Sequence, residues 1–178
     1  MLAKGILPEK RRGKLRALLQ ANHRALRIME VHNGLSAMIA NDTQIRDEKG
    51  EAKDFDGLWV SGLTESAARG LPDIELQGLL SRVHEIQEIV GVSHKPILVD
   101  GDTGGTIDQL QYYIRSMEAL GVSALIIEDK VFPKNNSLDF NKPQVLEAPE
   151  IFARKIAAGK KAQKSPDFML IARIEALV

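Results

Sequence analysis

Short apolar runs alternate along the chain with longer stretches whose apolar residues recur every third or fourth position. Leu26 to Val31, Gly57-Leu58-Trp59-Val60, the apolar run from Pro96 to Val99 that ends at Asp100, Ala124 to Asp129 and Phe168 to Arg173 have strand length and are bounded by Gly, Pro or charge, which predicts five strands. Pro8 to Ala21 carries Leu15, Leu18 and Leu19 among Lys and Arg, the spacing of a helix with a solvated basic face. Asn33 to Ser36 offers turn and helix-start chemistry after the first strand. Asp73 stands where an N-cap is expected for a helix bearing Leu76, Leu79, Leu80, Val83 and Val90 on one face. Thr106 and Gln109 match a capping box, followed by Ile107, Leu110, Ile114 and Met117 at helical intervals and a stop at Gly121. Pro149 suits the first turn of a helix running to about Lys164. Two polar segments remain. Asn41 to Asp56 reads as an exposed loop, and Lys130 to Glu147 is an irregular stretch of the length that often serves as a lid.

Strand and helix in alternation predict a parallel α/β sheet. Polar residues gather after each strand: His32 and Asn33, Ser61 and Gly62, Asp100 and Asp102, Glu128, then Arg173. In a (β/α)8 barrel that rim is the active site. An open doubly wound sheet would bind ligand at the same ends, but no Gly-rich dinucleotide fingerprint follows the first strand. Asp100 and Asp102, one residue apart, can aim oxygens at a hard cation such as Mg²⁺, which takes one or two carboxylates and keeps its remaining positions for water and substrate oxygens. The turn at Ser61-Gly62-Leu63 offers backbone N–H groups to an anionic oxygen, although a plain strand-to-helix turn explains it equally well. Arg173 could clamp a carboxylate or phosphate at two points, or pair structurally with Glu175. His32 could act as acid or base, and a hydrogen-bonded supporting role is the plainer reading. The cluster Lys10-Arg11-Arg12-Gly13-Lys14 could touch phosphates, with a solvated helix surface the better account.

Composition narrows this further. The 178 residues are 44% hydrophobic and 27% charged, with 24 basic and 24 acidic side chains, so no global field draws the chain to nucleic acid or membrane. The length suits one domain, spanning 1–178. The absence of cysteine removes disulfides, thiolate metal sites and a cysteine nucleophile. No apolar run approaches membrane-spanning length, and Met1-Leu2-Ala3-Lys4-Gly5 lacks the apolar core of a signal peptide, which leads to the expectation of a cytoplasmic protein.

Taken together, Glu30 to Ala37, Trp59 to Leu63, Asp100-Gly101-Asp102-Thr103-Gly104, Glu128 to Ser137 and Ala172 to Ala176 resemble the phosphoenolpyruvate mutase branch of the isocitrate lyase superfamily, in that family's order. The most specific piece is Glu128-Asp129-Lys130, five residues, then Asn136-Ser137. Lyases of the superfamily carry a cysteine on the corresponding loop, and this chain has none. The resemblance implies a TIM-type (β/α)8 barrel and a phosphomutase that interconverts phosphoenolpyruvate and 3-phosphonopyruvate. It implies Mg²⁺ as cofactor, with Asp100, Asp102 and Glu128 reaching it directly or through water. Asp73 matches the family's nucleophilic or metaphosphate-contacting aspartate. Lys134, Asn136 and Ser137 would close over the phosphoryl group, while Ser61, Gly62, Leu63 and Arg173 would hold the substrate's anionic groups. The nearest alternative is phosphonopyruvate hydrolase, and a further one is a non-catalytic barrel fragment that binds Mg²⁺ or anions. Two departures stand out: Gly104-Gly105 replaces the family's frequent Gly-Tyr-Gly, and a complete barrel takes about 250 residues whereas here the fifth strand is the last. These features lead to the expectation of a barrel truncated after about five strands, either a fragment of a longer protein or a chain that needs to associate with copies of itself.

Overall fold

Backbone pairing gathers the five predicted strands into one sheet, and the computed structural model describes it through residues 5–139 and 141–175. In order the elements are α1 (Pro8–Arg12), α2 (Lys14–Ala21), β1 (Ile28–Val31), α3 (Gly34–Asp42), β2 (Gln44–Arg46), β3 (Ala52–Asp54), β4 (Gly57–Val60) and α4 (Gly62–Ala68). A 3-10 turn at Leu79–Arg82 then leads into α5 (Val83–Val92), β5 (Ile97–Asp100), α6 (Ile107–Leu120), β6 (Ala124–Glu128), α7 (Pro149–Ala162) and β7 (Met169–Arg173). The sheet order β1-β4-β5-β6-β7 is the chain order, every pairing is parallel, and helices form the crossovers. This is the arrangement of consecutive strands in a (β/α)8 barrel.

Residues on each strand alternate between two environments. Val31, Leu58, Val60, Ile97, Val99, Leu125 and Ile127 face outward, where Ile86 and Ile89 of α5, Leu110, Ile114 and Met117 of α6 and Phe152 of α7 bury them. The other face carries Ile28, Trp59, Leu98, Ala124, Ile126, Met169 and Ile171, closed at its N-terminal end by Leu15 of α2. Leu98 and Ala124 are buried there while the rest of that row is half-buried. The same alternation turns Asp100, Glu128 and Arg173 inward at the C-terminal end. The parallel register sets Glu128 directly opposite Arg173 and Asp100 opposite Ile126.

Local chemistry fixes the element ends. Asn33 and Ser36 cap α3 reciprocally, and Thr106 and Gln109 do the same for α6. Gly121 ends α6 in the left-handed region at φ 78°, where an added Cβ would lie 2.4 Å from Pro8 Cα. Among the described residues, no helix is long and apolar enough to cross a membrane. Met1 to Lys4 and the closing residue of the Ala172 to Ala176 motif lie outside the described residues.

Three expectations need correction. The helix foreseen over Pro8 to Ala21 breaks at Gly13, and its basic cluster is not a solvated face. Arg11 is fully buried and donates to the carbonyls of Val90 (2.8 Å) and Ser93 (2.9 Å), Arg12 donates to Glu118 O, and Lys14 to His94 O. These cations satisfy carbonyls left open at helix C-terminal ends, which the one-dimensional charge count could not show. The Asn41 to Asp56 segment is exposed as expected but holds the antiparallel β2–β3 hairpin, whose turn is tied by Asp47 accepting from the N–H groups of Lys49 and Glu51. Asp73 is not an N-cap. The chain from Gly70 to Gly78 stays irregular, with Gly70 and Glu75 at positive φ, and regular helix begins only beyond Gly78. Leu76 and Leu80, assigned to a buried face, are 61% and 55% exposed.

The buried cluster member should therefore matter far more than its solvent-facing neighbour. Arg11→Ala is expected to lower unfolding stability by about 2–4 kcal/mol in denaturant titrations, because it removes packing and strands two carbonyls, whereas Lys10→Ala should stay within about 0.5 kcal/mol.

Candidate active site

The C-terminal end of the sheet collects four carboxylates. Asp100 closes β5, Asp102 sits two residues on in the left-handed region (φ 52°), Glu128 closes β6, and Asp73 arrives from the irregular segment before the 3-10 turn; all four are buried. Burial pushes the Asp100 carboxyl up, and the neighbouring Asp102 charge adds to this. Burial also lifts Glu128 to about 7, although Lys134, Arg173 and Lys130 all pull the other way. Desolvation thus wins at Glu128 even with three cations nearby.

Three cations hold the cluster from different sides. From below, Arg82 pairs with Glu65, lies 3.5 Å from Asp102 Oδ2 and donates to the Asp100 carbonyl at 2.8 Å. Across the sheet, Arg173 lies 3.0 Å from Glu128 Oε2 and 3.6 Å from Asp100 Oδ2 and is aligned by Glu175 at 2.5 Å. From above, Lys134 Nζ sits 2.7 Å from Asp102 Oδ1, 3.1 Å from Asp73 Oδ2 and 3.8 Å from Glu128 Oε1. Burial alone would lower the Lys134 pKa, but Asp102, Glu128 and Asp73 outweigh it and hold the ammonium firmly protonated.

Lys134 reaches that position because the long segment after β6 folds back over the rim. Its two limbs run side by side: Val131 N donates to Val145 O at 2.9 Å and Glu147 N to Asp129 O at 2.8 Å. Lys130 is fully buried beneath it, donating to Ser137 Oγ (2.5 Å) and pairing with Glu175 at 3.2 Å. The Ser137 hydroxyl in turn donates to Glu175 at 2.8 Å. Asn136 is half-buried on the same segment, its side-chain oxygen accepting from Leu138 N.

The first turn of α4 flanks the cluster. Ser61 is buried, Leu63 is 38% exposed, and Gly62 lies so close that a Cβ there would meet Asp102 Oδ1 at 2.9 Å. A side chain at 62 would displace the carboxylate, which is why the close approach requires glycine. The structure thus brings Asp73, Asp100, Asp102, Glu128, Lys134 and Arg173 together, with Ser61 and Gly62 alongside. Asn136 and Ser137 lie in the covering segment. His32 stands apart, 3.6 Å from Glu30. Arg173 makes the structural pair with Glu175 that the sequence offered, and it also reaches Glu128 and Asp100. Glu65, Glu75 and Arg82 went unsignalled, and for them the sequence held no cue; Glu175 was expected as the partner of Arg173, and Lys130 stood inside the quoted motif without a role of its own.

The donor set suits a hard dication. Asp102 Oδ1 and both oxygens of Glu128 are buried without an aligned hydrogen-bond donor, so their contacts with Lys134 and Arg173 are charge contacts that leave lone pairs free. Among the described residues no three acidic or histidine side chains are grouped so as to hold an ion by themselves. Mg²⁺ is commonly bound by one or two carboxylates, with water and substrate oxygens completing its shell.

The phosphoenolpyruvate phosphomutase family model matches residues 15–178. The chain is 42% identical over 171 residues to the phosphoenolpyruvate phosphomutase of Streptomyces hygroscopicus, covering 93% of this chain and 50% of that one. It is 36% identical over 165 residues to the phosphonopyruvate hydrolase of Variovorax sp., covering 92% and 53%. The crystal structure of the phosphoenolpyruvate phosphomutase from Streptomyces platensis subsp. rosaceus superposes with a TM-score of 0.79 at 40% identity, covering 92% and 53%. A phosphonopyruvate hydrolase solved with oxalate and Mg²⁺ superposes at 0.76 and 32% identity, covering 97% of this chain and 54% of that one. The chain spans about half the length of the curated relatives it matches. Matched over nearly its whole length in sequence and in fold, the chain belongs to the phosphoenolpyruvate phosphomutase family, within the phosphoenolpyruvate mutase/isocitrate lyase superfamily.

Proposed function

We propose that this chain, as one partial barrel domain spanning 1–178, contributes an active-site rim that interconverts phosphoenolpyruvate and 3-phosphonopyruvate by moving a phosphoryl group between oxygen and carbon. The observation that carries this reading is the seating of Lys134, on a segment that folds over the rim, against Asp73 and Asp102. A phosphoryl group in flight is loose and electron-poor at phosphorus, so the protein's work is to position it and keep water away. Lys134 brings positive charge to the equatorial oxygens, and Asp73 lies beside it where a phosphorus centre could be contacted. Arg173, aligned by Glu175, presents its guanidinium to a substrate carboxylate. Ser61, Gly62 and Leu63 offer the open N–H groups of a helix start to anionic oxygen. Asn136 and Ser137 ride on the cover that shuts the site. Asp100, Asp102 and Glu128 would hold Mg²⁺, whose Lewis acidity steadies enolate and carboxylate oxygens. In this reading the protein is cytoplasmic, works on a small molecule rather than nucleic acid or membrane, and associates as a homo-oligomer.

Incubating the full-length protein with phosphonopyruvate and Mg²⁺ and following phosphorus by NMR tests this directly. Phosphoenolpyruvate should accumulate; pyruvate and phosphate with no phosphoenolpyruvate would instead establish a hydrolase. Lys134→Met should cut turnover by about 10²–10³-fold while leaving the fold intact, read by steady-state rates beside circular dichroism. A pH effect follows from Glu128. Its folded pKa of about 7 exceeds the ordinary glutamate value, so between the two the folded state binds more protons than the unfolded one, and stability falls as pH rises through that window. Without Mg²⁺, wild type should lose up to about 3 kcal/mol relative to Glu128→Gln between pH 4.5 and 8, measured by urea unfolding across the range.

A further inference from the structure

Glu75 holds a position that neither the fold nor the reaction read above requires. It lies in the irregular segment two residues after Asp73, and its backbone is in the left-handed region at φ 57°, an uncommon conformation for a residue with a side chain. Its carboxylate accepts three hydrogen bonds from two other parts of the chain. Oε1 takes the Thr103 N–H (3.1 Å) and hydroxyl (2.8 Å), while Oε2 takes the backbone N–H of Lys134 at 3.0 Å. Thr103 follows Asp102 directly. Its carbonyl accepts from Lys155 at 3.2 Å, and Lys155 pairs at 2.9 Å with Glu147, where the covering segment returns to the body. One side of this chain of contacts is the loop carrying the carboxylates; the other is the cover.

We infer that Glu75 is a positioning residue that latches the cover shut by bridging the Lys134 backbone to the Asp102–Thr103 loop, thereby aiming the Lys134 ammonium at Asp73 and Asp102. The inference rests on the phosphomutase reading for its consequence, though not for its geometry. The Lys134 N–H bond exists only while the cover is down, so it favours the closed state over the open one, as a ligand that prefers one conformer would. The local backbone strain at Glu75 is held in place by those same three bonds. With the latch removed, the cover spends more time open and the transferring group meets solvent. Water then attacks phosphorus, the bond from phosphorus to the enolate oxygen breaks, and the enolate takes up a proton to leave pyruvate and inorganic phosphate.

The test compares full-length wild type, Glu75→Ala and Glu75→Gln in two measurements. Hydrogen exchange read at the Lys134 and Thr103 amides needs no turnover. Glu75→Ala should accelerate both at least tenfold while the amides of α6 keep their wild-type rates, and Glu75→Gln, with one acceptor oxygen fewer, should accelerate them at least threefold and keeps the test decisive if the alanine variant fails to fold. The second measurement is the share of substrate converted to pyruvate plus phosphate, which should rise at least fivefold in Glu75→Ala, with KM increasing as well. Unchanged exchange at Lys134 in a folded variant overturns the latch, and so does acceleration that spreads equally through α6, which would make Glu75 a general stability element. Should wild type itself not interconvert the two substrates, the phosphomutase reading fails while the exchange measurement still decides the latch.

Discussion

The structure depends on keeping four buried carboxylates close together. Asp73, Asp100, Asp102 and Glu128 repel one another in a low-dielectric setting, and unpaired ions of this kind are costly to bury. The chain offsets this with Arg82 beneath, Arg173 across and Lys134 above; Arg82 and Arg173 are each oriented by a further acid, Glu65 and Glu175, while Lys134 is held by the cluster's own Asp73 and Asp102. The compensation is incomplete. Burial still pushes the Glu128 carboxyl up to about 7, and its oxygens lack aligned donors. A site in this condition leaves negative charge to be offset, which is what the proposed cation site requires.

Geometry makes the arrangement possible at small cost in chain length. Parallel register turns every second residue inward, so Glu128 and Arg173 face each other directly and Asp100, level with Ile126, points to the same end without special loops. Asp102 needs more: a left-handed backbone and a glycine at 62 to make room for its carboxylate. Asp73 needs the most, since the chain around it gives up helix to carry that side chain inward. The covering segment then adds Lys134, whose ammonium occupies the middle of the acids while Lys130 and Glu175 anchor the segment's base. Rigid strands place the acids, and an irregular segment covers them, a division that suits the proposed chemistry, in which substrate must enter and water be kept out.

Much of this was legible in one dimension. Strands show as short apolar runs because both faces of the sheet are packed, and helix ends show at Asn33, Thr106 and Gly121 because capping is local chemistry. Asp100, Asp102, Glu128 and Arg173 were visible as polar residues ending those runs. What stayed hidden depends on long-range contact. Arg11 reads as surface charge until α5 supplies carbonyls for it, and the β2–β3 hairpin is too polar to announce itself. The apolar spacing after Asp73 predicts helix, yet the inward pull of Asp73 and Arg82 and the positive φ of Glu75 override it. That Asp73 and Lys134 belong to the site came from resemblance, since 61 positions separate residues that touch. Local conflict with regular structure marks the end of the sheet that holds the candidate site, as it does where a chain trades regularity for a site.

Whether the acids at the sheet's C-terminal end act as one cation-seeking cluster is decided by calorimetric titration of Mg²⁺ into the full-length protein and its Asp100→Asn variant. Wild type should bind measurably and the variant at least tenfold more weakly, with both proteins equally folded; equal affinity in the two, or heat that does not saturate in wild type, would rule the cluster out.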